Sequence, residues 1–237
     1  MIRLASGALA AALAVSPAAA LVGPSDPAPD LAPHVVMLLN RTGRTAGFCS
    51  AVVVAPDALL TAAHCAPPGA ALRAFENNGG TPAMHEIREA ERSPDYRADA
   101  IRSRQRSVDL ALVRLAAPLP PRFTPATLGA MPPHAPGSPF RLAGFGLRQE
   151  GAPASSGTLR AATVTARAPV SEVLLWAGGG ACTGDSGGPV LEGGAVVAVI
   201  AWAAGSGDRQ CGALTQAVWV APQRSWIDGV LQRWSGR

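Results

Sequence analysis

Lysine is absent from the chain, and charged residues make up only 15% of its 237 positions, below the usual quarter. All 20 basic residues are therefore arginines, as a codon bias toward Ala, Arg, Gly and Pro would produce. They are scattered apart from one cluster, Ile101-Arg102-Ser103-Arg104-Gln105-Arg106. That run has no interleaved aromatics and belongs to no nucleic-acid motif, so the formal charge of +4 does not point to a nucleic-acid partner. No apolar stretch beyond residue 20 is long enough to cross a bilayer: Ala195 to Ala204 falls far short of the ~20 residues needed. No C-x-x-C pair is present, which removes the usual zinc spacing. No histidine follows His134. Disorder is excluded by a hydrophobic content of 48%.

The one strongly apolar leader is MIRLASGALAAALAVSPAAA. Arg3 supplies a positive start, Leu4 to Val15 a short apolar core, and Ala18-Ala19-Ala20 a small-residue cleavage site. Residues 1–20 therefore read as a secretory signal peptide. The mature chain is expected to be secreted, extracellular or periplasmic, and not held in a membrane. An exported chain with an even number of cysteines suggests disulfides. Cys49, Cys65, Cys182 and Cys211 permit three connectivities, of which sequence-near pairing is one.

Glycine and proline form about a fifth of the residues, and the apolar runs between them are short, which favours strands over long helices. Strands are expected at His34–Leu39, Ser50–Val54, Ala58–Thr61, Val108–Leu115, Phe140–Gly146, Thr158–Ala166, Ala195–Trp202 and Gln216–Val220. Pro67–Gly80 reads as a loop, with Asn77-Asn78-Gly79-Gly80 as its turn. Ala116–Pro139 carries eight prolines and reads as an extended connector. Pro222–Trp234 is the one convincing helix. Trp226, Ile227, Val230, Leu231 and Trp234 recur at helical spacing, which marks a core-packing face.

Three segments carry chemistry: Thr61-Ala62-Ala63-His64-Cys65, Val108-Asp109-Leu110-Ala111-Leu112 and Cys182-Thr183-Gly184-Asp185-Ser186-Gly187-Gly188-Pro189. A serine hydroxyl is a weak nucleophile near neutral pH and needs a base within hydrogen-bond reach. Imidazole can take that proton and return it to a leaving group. A carboxylate holds the ring in the useful tautomer and stabilises the imidazolium. The oxyanion formed on the attacked carbonyl needs fixed donors, which the backbone N–H groups of Gly184 and Ser186 can supply. Glycine at 184 and 187 permits unusual dihedrals and close backbone approach. The serine segment also satisfies G-x-S-x-G, the elbow of α/β-hydrolases. That fold places its histidine after the serine, and here none follows.

On these segments the sequence resembles the trypsin/chymotrypsin family of serine proteases over nearly the whole mature chain. Ser93-Pro94-Asp95-Tyr96 ahead of Asp109 and Leu142-Ala143-Gly144-Phe145-Gly146 resemble further family segments. So do Ala201-Trp202-Ala203 and the Trp226 helix. The resemblance implies an all-β fold of two antiparallel six-stranded β-barrels with a C-terminal helix. The expected division is a signal peptide at 1–20, an N-terminal barrel at 21–120, a connector at 121–139, and a C-terminal barrel with helix at 140–237. By the same resemblance Cys49 is the partner of Cys65, His64 is the base, Asp109 the orienter and Ser186 the nucleophile. Gly184 and Ser186 form the oxyanion hole.

Further expectations follow from the family pattern. Cleavage after Ala20 would expose Leu21-Val22-Gly23, whose new amine would pair with Asp185; Pro24 stands where the family has glycine. The substrate pocket maps to Gly180 at its base, with Trp202, Ala203 and Thr215 around it. No acid at 180 means no anchor for Arg or Lys side chains, and side chains at 203 and 215 should make the pocket shallow. A small apolar P1 residue is the expected preference. Ala201 replaces the serine that usually supports the triad aspartate. Glu76 and Glu86 lie where some members bind calcium, but their spacing does not make a site, and no metal or cofactor is expected. The expected partner is a protein or peptide substrate, and the expected state a monomer. The rival is a catalytically silent homologue acting as a binding module; the presence of all three triad residue types favours the enzyme.

Overall fold

The computed structural model describes residue 21 and residues 25–236, except 104 and 133. Residues 1–20, expected to be a signal peptide, and Val22-Gly23-Pro24 lie outside the described residues. Thirteen strands are described. β2 (Val35–Thr42), β3 (Thr45–Ala55), β4 (Ala58–Thr61), β5 (Ala71–Asn78), β6 (Thr81–Arg92) and β7 (Ala111–Leu115) close into one antiparallel barrel in the order β2-β3-β4-β7-β6-β5.

The second barrel contains β8 (Pro139–Gly144), β9 (Arg160–Ala166), β10 (Leu174–Gly178), β11 (Pro189–Glu192), β12 (Ala195–Ala204) and β13 (Leu214–Trp219). Its order is β9-β10-β13-β12-β11-β8, and the β8–β9 pairing closes it. The short β1 (Asp26–Pro27) adds to β9. Two α-helices are found among the described residues, α1 (Ala100–Ser103) and α2 (Arg224–Ser235). This is the chymotrypsin-like architecture expected from the sequence.

Each barrel is filled by alternating inward residues, as a closed sheet requires. Leu38, Ala51, Val53, Leu59, Val113 and Leu115 fill the first. Leu142, Val164, Leu175, Val190, Ile200 and Trp219 fill the second. The ends of the chain change sides. β1 lies on the second barrel, and Asp30 makes a bidentate pair with Arg141; hydrogen bonding to that guanidinium lowers the Asp30 carboxyl below its ordinary range. At the other end, α2 buries Ile227, Val230 and Trp234 in a cluster shared with Leu60, Leu110 and Val199, and Arg233 reaches Glu91 of β6. These clamps hold the two barrels in fixed register.

Two local expectations are corrected. Pro67–Gly80 is not all loop, because Ala71–Asn78 is β5. Leu72, Ala74 and Glu76 point inward there, and the charged neighbours hid the alternation. The hairpin turn itself is Gly79-Gly80, both with positive φ, the conformation a two-residue turn demands. Second, the strand after Asp109 begins at Ala111, so Asp109 sits in irregular chain ahead of it. β9 faces the core mainly with Ala162, Val164 and Ala166 and turns Thr163 and Thr165 outward. The polar β6 had no apolar signal to reveal it; its pairing with β5 and β7 holds it in the barrel.

Candidate active site

The disulfides are Cys49–Cys65 and Cys182–Cys211. Each lies against a segment carrying candidate chemistry. Thr61 ends β4, and a short 3-10 turn, Ala63–Cys65, follows it and presents His64. Asp109 meets this turn twice. His64 N–H donates to Asp109 Oδ1 at 2.9 Å, and His64 Nδ1 lies 2.7 Å from Asp109 Oδ2. The backbone bond sets the turn against the carboxylate, and the ring bond fixes the imidazole plane. Beside them, burial pushes the Tyr96 phenol above its ordinary range, with the Asp109 charge adding to the shift.

On the other barrel, residues 182–188 form a loop whose carbonyls are all tied down between 183 and 186. Thr183 O accepts from Leu147 N at 2.9 Å and Gly184 O from Ser50 Oγ at 3.0 Å. Asp185 O accepts from Gly188 N at 2.9 Å, and Ser186 O from Ser50 N at 2.8 Å. The N–H groups of Gly184 and Ser186 have no acceptor among the described residues. Gly184 and Gly187 have φ of +98° and +83°. A Cβ at 187 would stand 2.1 Å from both Ser50 O and Thr61 Oγ1. The loop therefore presses directly on the first barrel, and only glycine fits there.

Asp185 is fully buried. Gly146 N–H donates to Oδ1 at 2.8 Å and Cys182 N–H to Oδ2 at 2.9 Å. Desolvation pushes its carboxyl up to about 7, although both backbone bonds oppose this. No cation pairs with it among the described residues. Leu21, in the same chain, is buried among Leu142, Ala181 and Ile200 of the second barrel.

His64, Gly184 and Ser186 line one open cavity of about 660 Å³ between the barrels, together with Phe48, Trp202 and Ala203. Asp109 stands behind His64, in an adjoining pocket with Tyr96 and Trp202. No hydrogen bond joins Ser186 Oγ to His64 among the described residues; the imidazole Nε2 is 3.6 Å from Cys65 Sγ. Of the expected pocket residues, Trp202 and Ala203 line the cavity, whereas Gly180 and Thr215 do not. Thr215 is buried, with its hydroxyl engaged by Ala181 N–H and Gly179 O. A Cβ at Gly180 would meet Leu142 and Val164 at 2.7 and 2.9 Å, inside the barrel core.

The cavity lining carries no acidic side chain and includes Arg209 and Gln210. These two were missed because the glycine-rich segment before Cys211 has no pattern. Ser50 was missed because it reads simply as the start of a strand. Glu76 is held by His85 Nε2 at 3.0 Å and by Arg122, while Glu86 pairs with Arg73. The two carboxylates thus face separate cations rather than a shared ion.

This arrangement matches a known group of proteins. The Trypsin family model fits residues 21–227. The chain belongs to the trypsin family. It is 30% identical to human kallikrein-15 over 215 residues, covering 78% of this chain and 79% of the kallikrein. It is 30% identical to alkaline trypsin C of Manduca sexta over 203 residues, covering 71% and 74%. In fold it resembles neuropsin, a serine protease of mouse brain, with a TM-score of 0.64 at 21% identity over 82% of this chain and 93% of that one. It also resembles an inactivated protease paralogue of the scabies mite, with a TM-score of 0.66 at 22% identity over 85% and 95%. That fold therefore does not by itself require activity. No helix among the described residues is long and apolar enough to cross a membrane.

Proposed function

We propose that this trypsin-family chain is an exported, monomeric serine endopeptidase with a preference for small apolar P1 residues. His64 is the base, Asp109 orients it, and Ser186 is the nucleophile. Ser186 Oγ gives its proton to His64 Nε2 and attacks the peptide carbonyl carbon. The oxygen takes the negative charge between the N–H groups of Gly184 and Ser186. His64 then returns the proton to the leaving amine, and water releases the acyl group from Ser186 by the reverse sequence. The observation that carries this reading is the pair of unpartnered N–H groups on a loop whose intervening carbonyls are all bonded. Donors fixed in advance need no reorganisation when charge develops.

The hydrogen bond between His64 and Ser186 Oγ is a contact that substrate binding or activation must close. Such contacts are commonly loose before substrate arrives. Removal of residues 1–20 would free the Leu21 amine, and its pairing with Asp185 would answer the desolvation that the uncleaved chain leaves unbalanced. N-terminal sequencing of the active secreted protein tests this: a start at Leu21 is expected, and a start elsewhere contradicts it.

The P1 preference is supported by Ala203 on the cavity wall, by its buried cross-strand neighbour Thr215, and by a lining without an acidic side chain. Arg209 in the lining further disfavours cationic residues. Peptides differing only in P1 Ala, Phe or Arg are the test. Fastest cleavage after Ala is expected, and preference for Arg would overturn the pocket reading.

A further inference from the structure

Ser50 belongs to the first barrel but directs its hydroxyl and N–H to the second. It lies on β3, directly after the disulfide-bonded Cys49, and is completely buried. Its hydroxyl donates to Gly184 O at 3.0 Å and accepts from Phe145 N–H at 3.0 Å. Its N–H donates to Ser186 O at 2.8 Å. Its own carbonyl accepts from Thr61 Oγ1 at 2.8 Å, which roots it in β4, just ahead of the His64 turn. One residue thus holds the carbonyls of both Gly184 and Ser186, and links them through Thr61 to the element presenting the imidazole.

A backbone carbonyl and the following N–H share one rigid plane. Bonding Gly184 O therefore fixes the Gly184–Asp185 peptide, which separates the two free N–H groups. Gly184 has positive φ and no side chain to restrain it, so the restraint must come from such bonds. Phe145 N–H uses the other side of the hydroxyl, which leaves the Ser50 proton directed at Gly184 O. We infer that Ser50 is a positioning residue: its hydroxyl sets the loop whose Gly184 and Ser186 amides receive the developing oxyanion, and so acts on the transition state rather than on substrate binding. This rests on the serine-protease reading above.

The test uses mature protein carrying Ser50→Ala and, separately, Ser50→Gly, which removes the hydroxyl with a different backbone preference. Steady-state kinetics on a peptide substrate are compared with inhibition by a peptide aldehyde of the same sequence, whose adduct places an oxygen among the same donors. Removal of a hydroxyl that fixes a buried loop should lower kcat by about 5–30-fold, with KM within twofold. Aldehyde affinity should weaken by the factor lost in kcat/KM. Urea unfolding shows that each variant is folded under assay conditions. Unchanged kcat in either folded variant would overturn the inference, as would a rise in KM with kcat intact. An inactive wild-type protein would instead refute the serine-protease reading, so the two failures are distinguishable.

Discussion

The two barrels share a topology but hold their parts of the site by different means. The first presents side chains. His64 and Asp109 are joined by two hydrogen bonds close to a disulfide, and neither bond depends on the other barrel. The second presents backbone. Its loop is shaped by glycines, by contacts from Ser50, and by a buried Asp185 that lacks a countercharge among the described residues. A side-chain pair can be complete as soon as its barrel folds. A backbone loop that leans on a neighbouring barrel and, by the proposed activation, on a new N-terminus is the natural point of control.

The sharpest break in the comparison is chemical. Ser186→Ala and His64→Ala should each lower kcat/KM by about 10⁴-fold or more in peptide hydrolysis. Next comes Asp185. In the uncleaved chain its folded carboxyl, at about 7, lies above the ordinary 3.8. Its stabilising contribution is thus complete below that ordinary value and is lost as pH rises through about 7, by a few kcal/mol. Urea unfolding of the full-length Ser186→Ala chain should show this decline, and Asp185→Asn should flatten it. Pairing with a free Leu21 amine would reverse the slope in the mature form.

A third comparison uses glycines of the second barrel's loops. Gly187→Ala drives a methyl into Ser50 O and Thr61 Oγ1 and should cost more than about 3 kcal/mol. Gly193→Ala has open space and only a positive φ to strain, so about 1–2 kcal/mol is expected. Chemical denaturation of both variants checks the difference. The smallest effect is expected from Ala201→Ser. Asp109 takes hydrogen bonds only from His64 among the described residues, and a hydroxyl at 201 should raise kcat/KM a few-fold through better support of that carboxylate.

The sequence is clearest where several recognisable segments combine. His64, Asp109 and Ser186 stand out because their three segments form a specific set, and the structure places them in two adjoining pockets that share His64 and Trp202. The terminal helix was visible from its stripe, of which Ile227, Val230 and Trp234 are buried. β6 was invisible because alternating charge over Glu86–Arg92 carries no burial signal; neighbouring strands supply its reason to exist. Thr215 could be assigned to a pocket but not seen to spend its hydroxyl behind the wall. Ser50 looked like an ordinary strand residue because its partners lie 95 and 134 positions away. What was hidden in each case is long-range pairing, which leaves no periodic trace in one sequence.

Reaction of the mature protein with a fluorophosphonate, followed by peptide mapping of the adduct, tests the central claim most directly. The account predicts one phosphonyl group, on Ser186, with labelling lost in Ser186→Ala and greatly slowed in His64→Ala. Equal labelling of the wild type and Ser186→Ala would contradict it.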